Sequence, residues 1–118
     1  MMMYKLPKQS ILRKNKEFQH VYQHGRSYAN RMMVLYVFPQ SKMQSRKVGF
    51  AAGKKLGNAV VRNRVKRLLR EAYRLNQYQI SADHVNLLLV GRKPMTEVKY
   101  EVVGKAFINL CIKAKLIK

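Results

Sequence analysis

The chain has 118 residues, the usual size of one domain, and 47% of them are apolar, enough for one modest core. Its 25 Lys and Arg against 5 Asp and Glu give a formal net charge of +20, which would oppose the compact state unless a polyanion neutralised it, so the expected partner is nucleic acid. No apolar run approaches the roughly 18 residues of a membrane-spanning helix, and the first ten residues contain no secretion signal. We therefore expect a cytosolic protein with one domain over residues 1–118, whose residues 1–11 form a flexible tail.

The first half of the chain predicts a short helix and two strands. Asn15 can cap a helix over residues 16–24, and Gly25 can end it in the left-handed conformation. Branched and aromatic residues predict strands at 31–39 and at Lys47–Ala52. The loop between these strands is short, so we expect them to pair as an antiparallel hairpin.

The second half predicts a long helix, a buried strand and a final helix. Asn58 can cap a helix over residues 59–75, a stretch without Gly or Pro. The apolar run at 85–90 is typical of a strand covered on both faces, and a further helical pattern begins near residue 96. The apolar faces of the two helices are Val61, Val65, Leu68, Leu69 and Ala72 on the first, and Val103, Phe107, Leu110 and Ala114 on the second. This order predicts an α+β fold, with helices packed on a small sheet.

The long helix also predicts a cationic face opposite its apolar arc, at about 100° per residue. This face comprises Arg62, Asn63, Lys66, Arg67, Arg70 and Arg74. A face that is only solvated usually mixes Glu with Lys at i,i+4 spacing, whereas Glu71 is the one acid of this helix. Arg suits phosphate because its planar guanidinium donates paired hydrogen bonds. The expected ligand is a phosphodiester backbone.

The block from Lys54 to Arg74, KKLGNAVVRNRVKRLLREAYR, resembles the signature of the protein subunit of bacterial ribonuclease P. The central Arg-Asn-Arg motif of that family is found here at Arg62, Asn63 and Arg64. The segment KNKEFQHVYQHGRSYANRMMVLYV resembles the first helix and strand of the family, and VNLLLVGRKP resembles its last strand. The resemblance extends over residues 12–113.

The resemblance implies an α-β-β-β-α-β-α order with a left-handed βαβ crossover, contrary to the usual hand. It also implies a partner, a catalytic RNA that removes the 5′ leader from precursor transfer RNA with Mg²⁺ held mainly by RNA. The protein would assist by binding the leader and raising the affinity for substrate and Mg²⁺.

The same resemblance assigns residues to two surfaces. The surface that meets the catalytic RNA would comprise Lys54, Lys55, Arg62, Asn63, Arg64, Lys66, Arg67 and Arg70. The central cleft for the single-stranded leader would comprise Phe18, Tyr22, Val34 and Tyr36. The two strand residues share a face because they alternate, and aromatic rings can stack on unpaired bases of any sequence. The alternative is that the four cleft residues are simply core.

The chain offers little for catalysis of its own. Its acids, Glu17, Glu71, Asp83, Glu97 and Glu101, are scattered, without the paired carboxylates of a two-metal nuclease. His20 and His24 lie at i,i+4 spacing without an evident third ligand, so we interpret them as surface residues. Cys111, the single cysteine, is expected to be a buried thiol. We therefore predict no catalytic and no metal-binding residue in this chain, which counts against a free-standing nuclease.

Two binding functions remain as alternatives. A structural RNA-binding protein, such as a ribosomal protein, would share the size and charge but not the block at 54–74. A DNA-binding helix-turn-helix needs a second helix just before Asn58, where the sequence predicts a strand and a Lys-rich turn.

Overall fold

The computed structural model, which describes residues 6–41 and 44–117, contains one four-stranded sheet with helices on both faces. In chain order its elements are α1 Asn15–His24, β1 Arg26–Ala29, β2 Met33–Pro39, β3 Lys47–Ala52, α2 Ala59–Asn76, β4 Val85–Gly91 and α3 Tyr100–Lys113. The predicted α+β class and the predicted element order are confirmed. Within the described ranges, no helix has the length and apolar character needed to cross a membrane.

The strands lie in the order β1-β2-β4-β3. β2 pairs with β4 in antiparallel fashion, and β3 pairs with β4 in parallel, so that Met33 and Ala52 both lie opposite Gly91. The predicted hairpin between the strands at 31–39 and Lys47–Ala52 is therefore wrong. β4 lies between them because its central residues are apolar on both faces and are buried on both, which favours an interior position in the sheet. β3, α2 and β4 form a parallel crossover, whose left hand stays a prediction.

The main core lies between one face of the sheet and helices α2 and α3. Leu35, Leu87 and Leu89 project from that face and are fully buried. Gly91 lies directly against Val65 of α2, and a Cβ at position 91 would collide with that side chain. The predicted burial is confirmed for Val65, Leu69, Ala72, Val103, Phe107 and Leu110, whereas Val61, Leu68 and Ala114 are half-buried. A smaller cluster of Leu12, Val21 and Leu88 packs α1 on the opposite face.

Local hydrogen bonds set the ends of several elements. Asn58 caps α2 as predicted, since its side chain accepts from the backbone N–H of Val61 at 3.1 Å. β2 begins two residues later than predicted because the Asn30 side chain accepts from the N–H groups of Met32 and Met33 and holds a turn there. Lys93–Glu97 form a 3-10 turn, so α3 starts at residue 100 and not near residue 96.

Two predictions for α1 are wrong. Asn15 is the first residue of the helix, and Lys14 takes the N-cap position. Gly25 is extended, with φ −75° and ψ 156°, and not left-handed. The reason is that the chain enters β1 directly at Arg26, so the helix has to lead into extended backbone. β1, with the sequence RSYA, is largely exposed and lacks the apolar alternation that identified the other strands.

The predicted tail at 1–11 lies partly outside the described residues, since residues 1–5 are not among them. Leu6 packs against the main core, and Ile11 forms a bridge to Val48 of β3. A single domain with a flexible tail stays a prediction.

Candidate nucleic-acid interface

A groove of about 580 Å³ runs beside the β3 edge of the sheet, along the cationic face of α2. Burial of Val65 and Leu69 against the sheet turns the opposite side of α2 outward, and the α2 residues of the groove are all exposed. The α2 side chains that line it are Asn63, Lys66, Arg67 and Arg70. The rest of its lining is apolar and comprises Ile11, Leu12, Phe18 and Phe50. Such a groove can bind a phosphodiester backbone on its cationic part and nucleobases on its apolar part.

Among the described residues, no acid neutralises the cations of this groove. In residues 6–41 and 44–117, no carboxylate lies within ion-pair distance of Lys66, Arg67 or Arg70. Three of the five acids pair with other cations: Glu17 with Lys47 at 3.4 Å, Glu71 with Arg74 at 2.7 Å, and Asp83 with Arg46 at 3.9 Å. Like charges four residues apart on a helix repel each other, so the groove favours an external polyanion.

Glu71, the single acid of α2, is bound to Arg74 and is not one of the residues that line the groove. Two guanidinium nitrogens of Arg74 donate to its two carboxylate oxygens, at 2.7 and 2.8 Å. These hydrogen bonds lower the pKa of Glu71 against the smaller opposing effect of burial. Arg74, predicted on the cationic face, is thus engaged within the protein.

The predicted RNA-facing residues divide into three groups. Asn63, Lys66, Arg67 and Arg70 lie together in the groove. Lys54, Lys55 and Arg62 lie at the N-terminal end of α2, where the two lysines are exposed on a 3-10 turn and Arg62 donates to the carbonyl of Ala52 at 3.1 Å.

Arg64 forms the third group alone. Its guanidinium donates to the carbonyls of Thr96 and Val98 at 3.3 and 2.8 Å, and so ties α2 to the segment before α3. The middle of the Arg-Asn-Arg motif therefore faces the groove, whereas its last residue supports the fold.

The predicted leader cleft is an aromatic surface between α1 and β2. The rings of Tyr22 and Tyr36 lie 5.1 Å apart between centroids and are tilted by 49°. Tyr22 is 55% exposed, whereas Tyr36 and Val34 are half-buried. Burial, together with the nearby Tyr22 hydroxyl, raises the pKa of Tyr36. The surface that these three residues form is partly open to solvent, and none of the three is a fully buried core residue.

Phe18 connects this cleft with the groove. It packs with Tyr36 around the small cluster of Leu12, Val21 and Leu88, and its ring also lines the groove beside α2. The ring lies so close to Gly49 that a Cβ there would come within 2.8 Å of it. Phe18 is therefore both a packing residue and part of the open surface.

Of the apolar residues that line the groove, sequence reasoning singled out Phe18 and missed Ile11, Leu12 and Phe50. Phe50 shares with Val48 and Ala52 the face of β3 that meets α2, and Ile11 is brought in by its bridge to Val48. Strand alternation could have placed Phe50 on the α2 side, but only if β3 had been recognised as an edge strand parallel to its neighbour.

The histidines of α1 lie together on its exposed side, whereas Cys111 lies in the main core. The rings of His20 and His24 lie 4.8 Å apart on the exposed side of α1, and the part of the chain that the structure describes brings no three His, Cys, Asp or Glu residues together as a metal site. Cys111 is fully buried as predicted, and burial raises its pKa to about 12.

The chain is similar in sequence to known ribonuclease P proteins. Residues 6–115 match the protein family described as Ribonuclease P. The chain is 41% identical over 107 residues to the ribonuclease P protein component of Clostridium botulinum (strain Langeland), with 91% of this chain and 96% of the relative covered. It is 44% identical over 107 residues to the corresponding protein of Natranaerobius thermophilus, with 91% of each covered.

Solved structures show the same similarity. The RNase P protein of Staphylococcus aureus superimposes with a TM-score of 0.80 at 29% identity, over 92% of this chain and 98% of that one. The RNase P protein of Thermotoga maritima superimposes with a TM-score of 0.74 at 26% identity, over 84% and 92%.

Proposed function

The chain belongs to the ribonuclease P protein family and is thus a subunit of that endoribonuclease of transfer RNA processing, and we propose that it acts by binding two RNA strands. One is the catalytic RNA subunit, bound on the cationic face of α2. The other is the 5′ leader of precursor transfer RNA, bound in the aromatic cleft. By holding both, the protein raises the affinity of the holoenzyme for its substrate and for Mg²⁺.

The observation that carries this proposal is the unpaired positive charge of the groove. Lys66, Arg67 and Arg70 have no acid beside them in the described ranges, although each is exposed. Neutralising RNA phosphates there releases condensed counterions, which is the main source of affinity in such complexes. Lys54 and Lys55 extend the same charge beyond the helix N-terminus.

The continuity of the two surfaces at Phe18 supports a role in leader binding. A single strand that lies on Tyr22 and Tyr36 can pass over the Phe18 ring and reach the α2 cations without crossing the core. Each stacked base contributes about 1–3 kcal/mol without a demand for a particular sequence. This arrangement suits leaders whose sequences differ from one transfer RNA to another.

We propose that the RNA carries the chemistry. Mg²⁺ prefers carboxylate and phosphate oxygens, and the protein has few carboxylates, three of which are held by cations. RNA phosphates would therefore hold most of the metal, which would supply activation of water and stabilisation of the leaving oxygen. The protein's residues position the strands, in the cytosol where the precursors are processed.

A reconstitution assay tests this function. The chain alone is expected to leave precursor transfer RNA intact, whereas the chain added to the cognate catalytic RNA is expected to restore cleavage at low Mg²⁺. The double variant Arg67→Ala/Arg70→Ala should lose most of this stimulation. A matched control, Lys105→Ala/Lys113→Ala on the exposed side of α3, removes the same charge and should retain it.

The same assay separates the alternatives. A structural RNA-binding protein would bind RNA but would not restore cleavage. A free-standing nuclease would cut the precursor without any added RNA, and that result would contradict the proposal.

A further inference from the structure

A second recess lies on the other side of α1 from the aromatic cleft. It has a volume of about 290 Å³, and its lining includes Lys16, Glu17, His20, Phe38, Gln40 and Asn86. Positions 16 and 20 project from α1 about 200° away from positions 18 and 22, because each pair is offset by two residues of the helix. The recess and the cleft are therefore separate sites divided by α1.

The base of this recess contains a buried amide. Asn86, near the start of β4, is a polar residue that is only 6% exposed. Its Oδ1 accepts from Nε2 of Gln40 at 2.9 Å. Its other amide atom, Nδ2, has no acceptor among the residues that the structure describes. If the two amides were flipped, one polar atom of Asn86 would still be left over.

The free end of this amide faces the recess. Across the described residues, no side-chain N or O atom is both fully buried and without a partner, so the Nδ2 group reaches open space. Burying a polar group without a partner is unfavourable, and such groups usually meet water or a ligand. Asn86 thus presents a donor to whatever occupies the recess, with the Gln40 amide beside it.

The wall of the recess is aromatic. The ring of His20 meets the ring of Phe38 edge-on, with centroids 4.5 Å apart and planes at 88°. Phe38 lies directly opposite Asn86 in the register of β2 and β4, so the amide and the rings belong to adjacent positions. Lys16 adds a cation at the rim.

We infer that this recess takes one unpaired nucleobase of an RNA strand. The amides of Asn86 and Gln40 offer the donor and acceptor that Asn and Gln use to read a base edge. His and Phe side chains are stacking partners for bases that are splayed out of a strand. The recess is too small for a helix and sits beside a cation suited to the attached phosphate.

This inference rests on the proposed function, because its ligand is RNA. The base can come from the leader, from the body of transfer RNA or from the catalytic RNA, and the chemistry of recognition is the same in each case. Since α1 separates the recess from the cleft, this base is not one of those stacked on Tyr22 and Tyr36.

The first test is a titration of the full chain, labelled with ¹⁵N, against the four ribonucleoside 5′-monophosphates. At least one nucleotide is expected to shift the side-chain amide signals of Asn86 and Gln40 in a saturable manner. Ribose 5-phosphate, which has no base, should not shift them. Unchanged amide signals, or equal shifts with ribose 5-phosphate, would overturn the inference.

The second test uses the holoenzyme. Asn86→Leu keeps the size of the side chain and removes the amide, and Gln40→Met does the same at a half-buried site where loss of folding is not expected. Affinity is measured for the catalytic RNA, for leader-bearing precursor and for mature transfer RNA. One of these affinities should fall on the order of tenfold, the range for a lost base contact, and it identifies the source of the base.

The control is Asn109→Leu, the same change on an exposed face of α3, which should leave all three affinities unchanged. If both recess variants match the wild type in every measurement while the wild-type holoenzyme assembles and cleaves, this inference fails and the proposed function stands. If the wild-type chain neither binds the catalytic RNA nor stimulates cleavage, the proposed function itself fails.

Discussion

Three arginines of α2 differ in what their guanidinium groups contact. Arg62 and Arg64 both donate to backbone carbonyls, of Ala52 and of Thr96 and Val98 respectively. Arg67 lines the groove instead. A guanidinium bonded to carbonyls keeps its positive charge, so Arg62 can still contribute to the field at the groove, but its position is fixed by the protein.

Stability and RNA affinity should therefore respond differently to Arg64 and Arg67. Arg64→Ala is expected to lower the free energy of unfolding by about 0.5–1.5 kcal/mol, because two carbonyls lose a charged donor. Arg67→Ala should leave stability unchanged and flatten the dependence of log affinity for the catalytic RNA on log salt by up to about one. Urea unfolding and binding at several NaCl concentrations measure the two effects. Equal effects of both changes on stability would contradict the assignment.

Cys111 offers a second test at single-residue scale. Burial raises the pKa of its thiol to about 12, and the thiolate is the form that reacts with alkylating agents. A raised folded pKa favours the protonated thiol in the native state and so protects it against alkylation. This protection is full below the usual pKa of a thiol and decreases as the pH rises from there toward the folded pKa. At pH 8 iodoacetamide should modify the native chain only through unfolding, and should modify it rapidly in 6 M guanidinium as the control. Fast modification of the native chain would show that the α3 face is open.

At the scale of elements, the long amphipathic helix could be predicted almost completely and the strand pairing could not. α2 combines a capping Asn58, an uninterrupted helical stretch and a one-sided apolar arc, all of which are local properties. The order of the strands depends on which strand is buried on both faces, and that is decided by contacts far apart in sequence. The insertion of β4 between β2 and β3 is a result of this kind.

The candidate site follows the same division. The groove cations could be predicted because they lie at fixed angles on one helix. Phe50, Ile11 and the Asn86 recess could not, because each depends on which strands are neighbours. The hydrogen bonds of Arg64 to the segment before α3 could not be predicted for the same reason, and its assignment to the surface that meets the catalytic RNA stays a prediction.

The aromatic cleft between α1 and β2 predicts a selective effect on leader binding. Tyr22→Ala and Tyr36→Ala should each weaken binding of leader-bearing precursor to the holoenzyme by about 1–3 kcal/mol, since each removes a stacking ring. Binding of mature transfer RNA and assembly with the catalytic RNA should be unchanged. Tyr78→Ala, which removes an exposed ring from the 3-10 turn that follows α2, is the control. Equal losses for precursor and mature transfer RNA would mean that these rings serve only the packing of α1.

At the scale of the whole molecule, the sheet gathers the proposed RNA-binding surfaces around α1 and the β3 edge. α1 crosses one face with the cleft on one side and the recess on the other, and the parallel β3–α2 connection sets the cationic groove next to Phe18. The same arrangement concentrates positive charge on a small domain. A net charge of +20 on 118 residues repels itself in the folded state and attracts any polyanion.

Salt should therefore act on folding and on RNA binding in opposite directions. Raising NaCl from about 0.05 to 0.5 M shortens the screening length to a few ångströms, so mutual repulsion among the cations weakens and the thermal midpoint of the free chain should rise. Over the same range the affinity for the catalytic RNA should fall by orders of magnitude, because counterion release contributes less. Chloride is the suitable anion, since sulfate would also strengthen apolar burial. A thermal midpoint that falls with NaCl would mean that attractive ion pairs outweigh the repulsion. The three pairs found among the described residues, against 25 Lys and Arg in the sequence, do not predict that result.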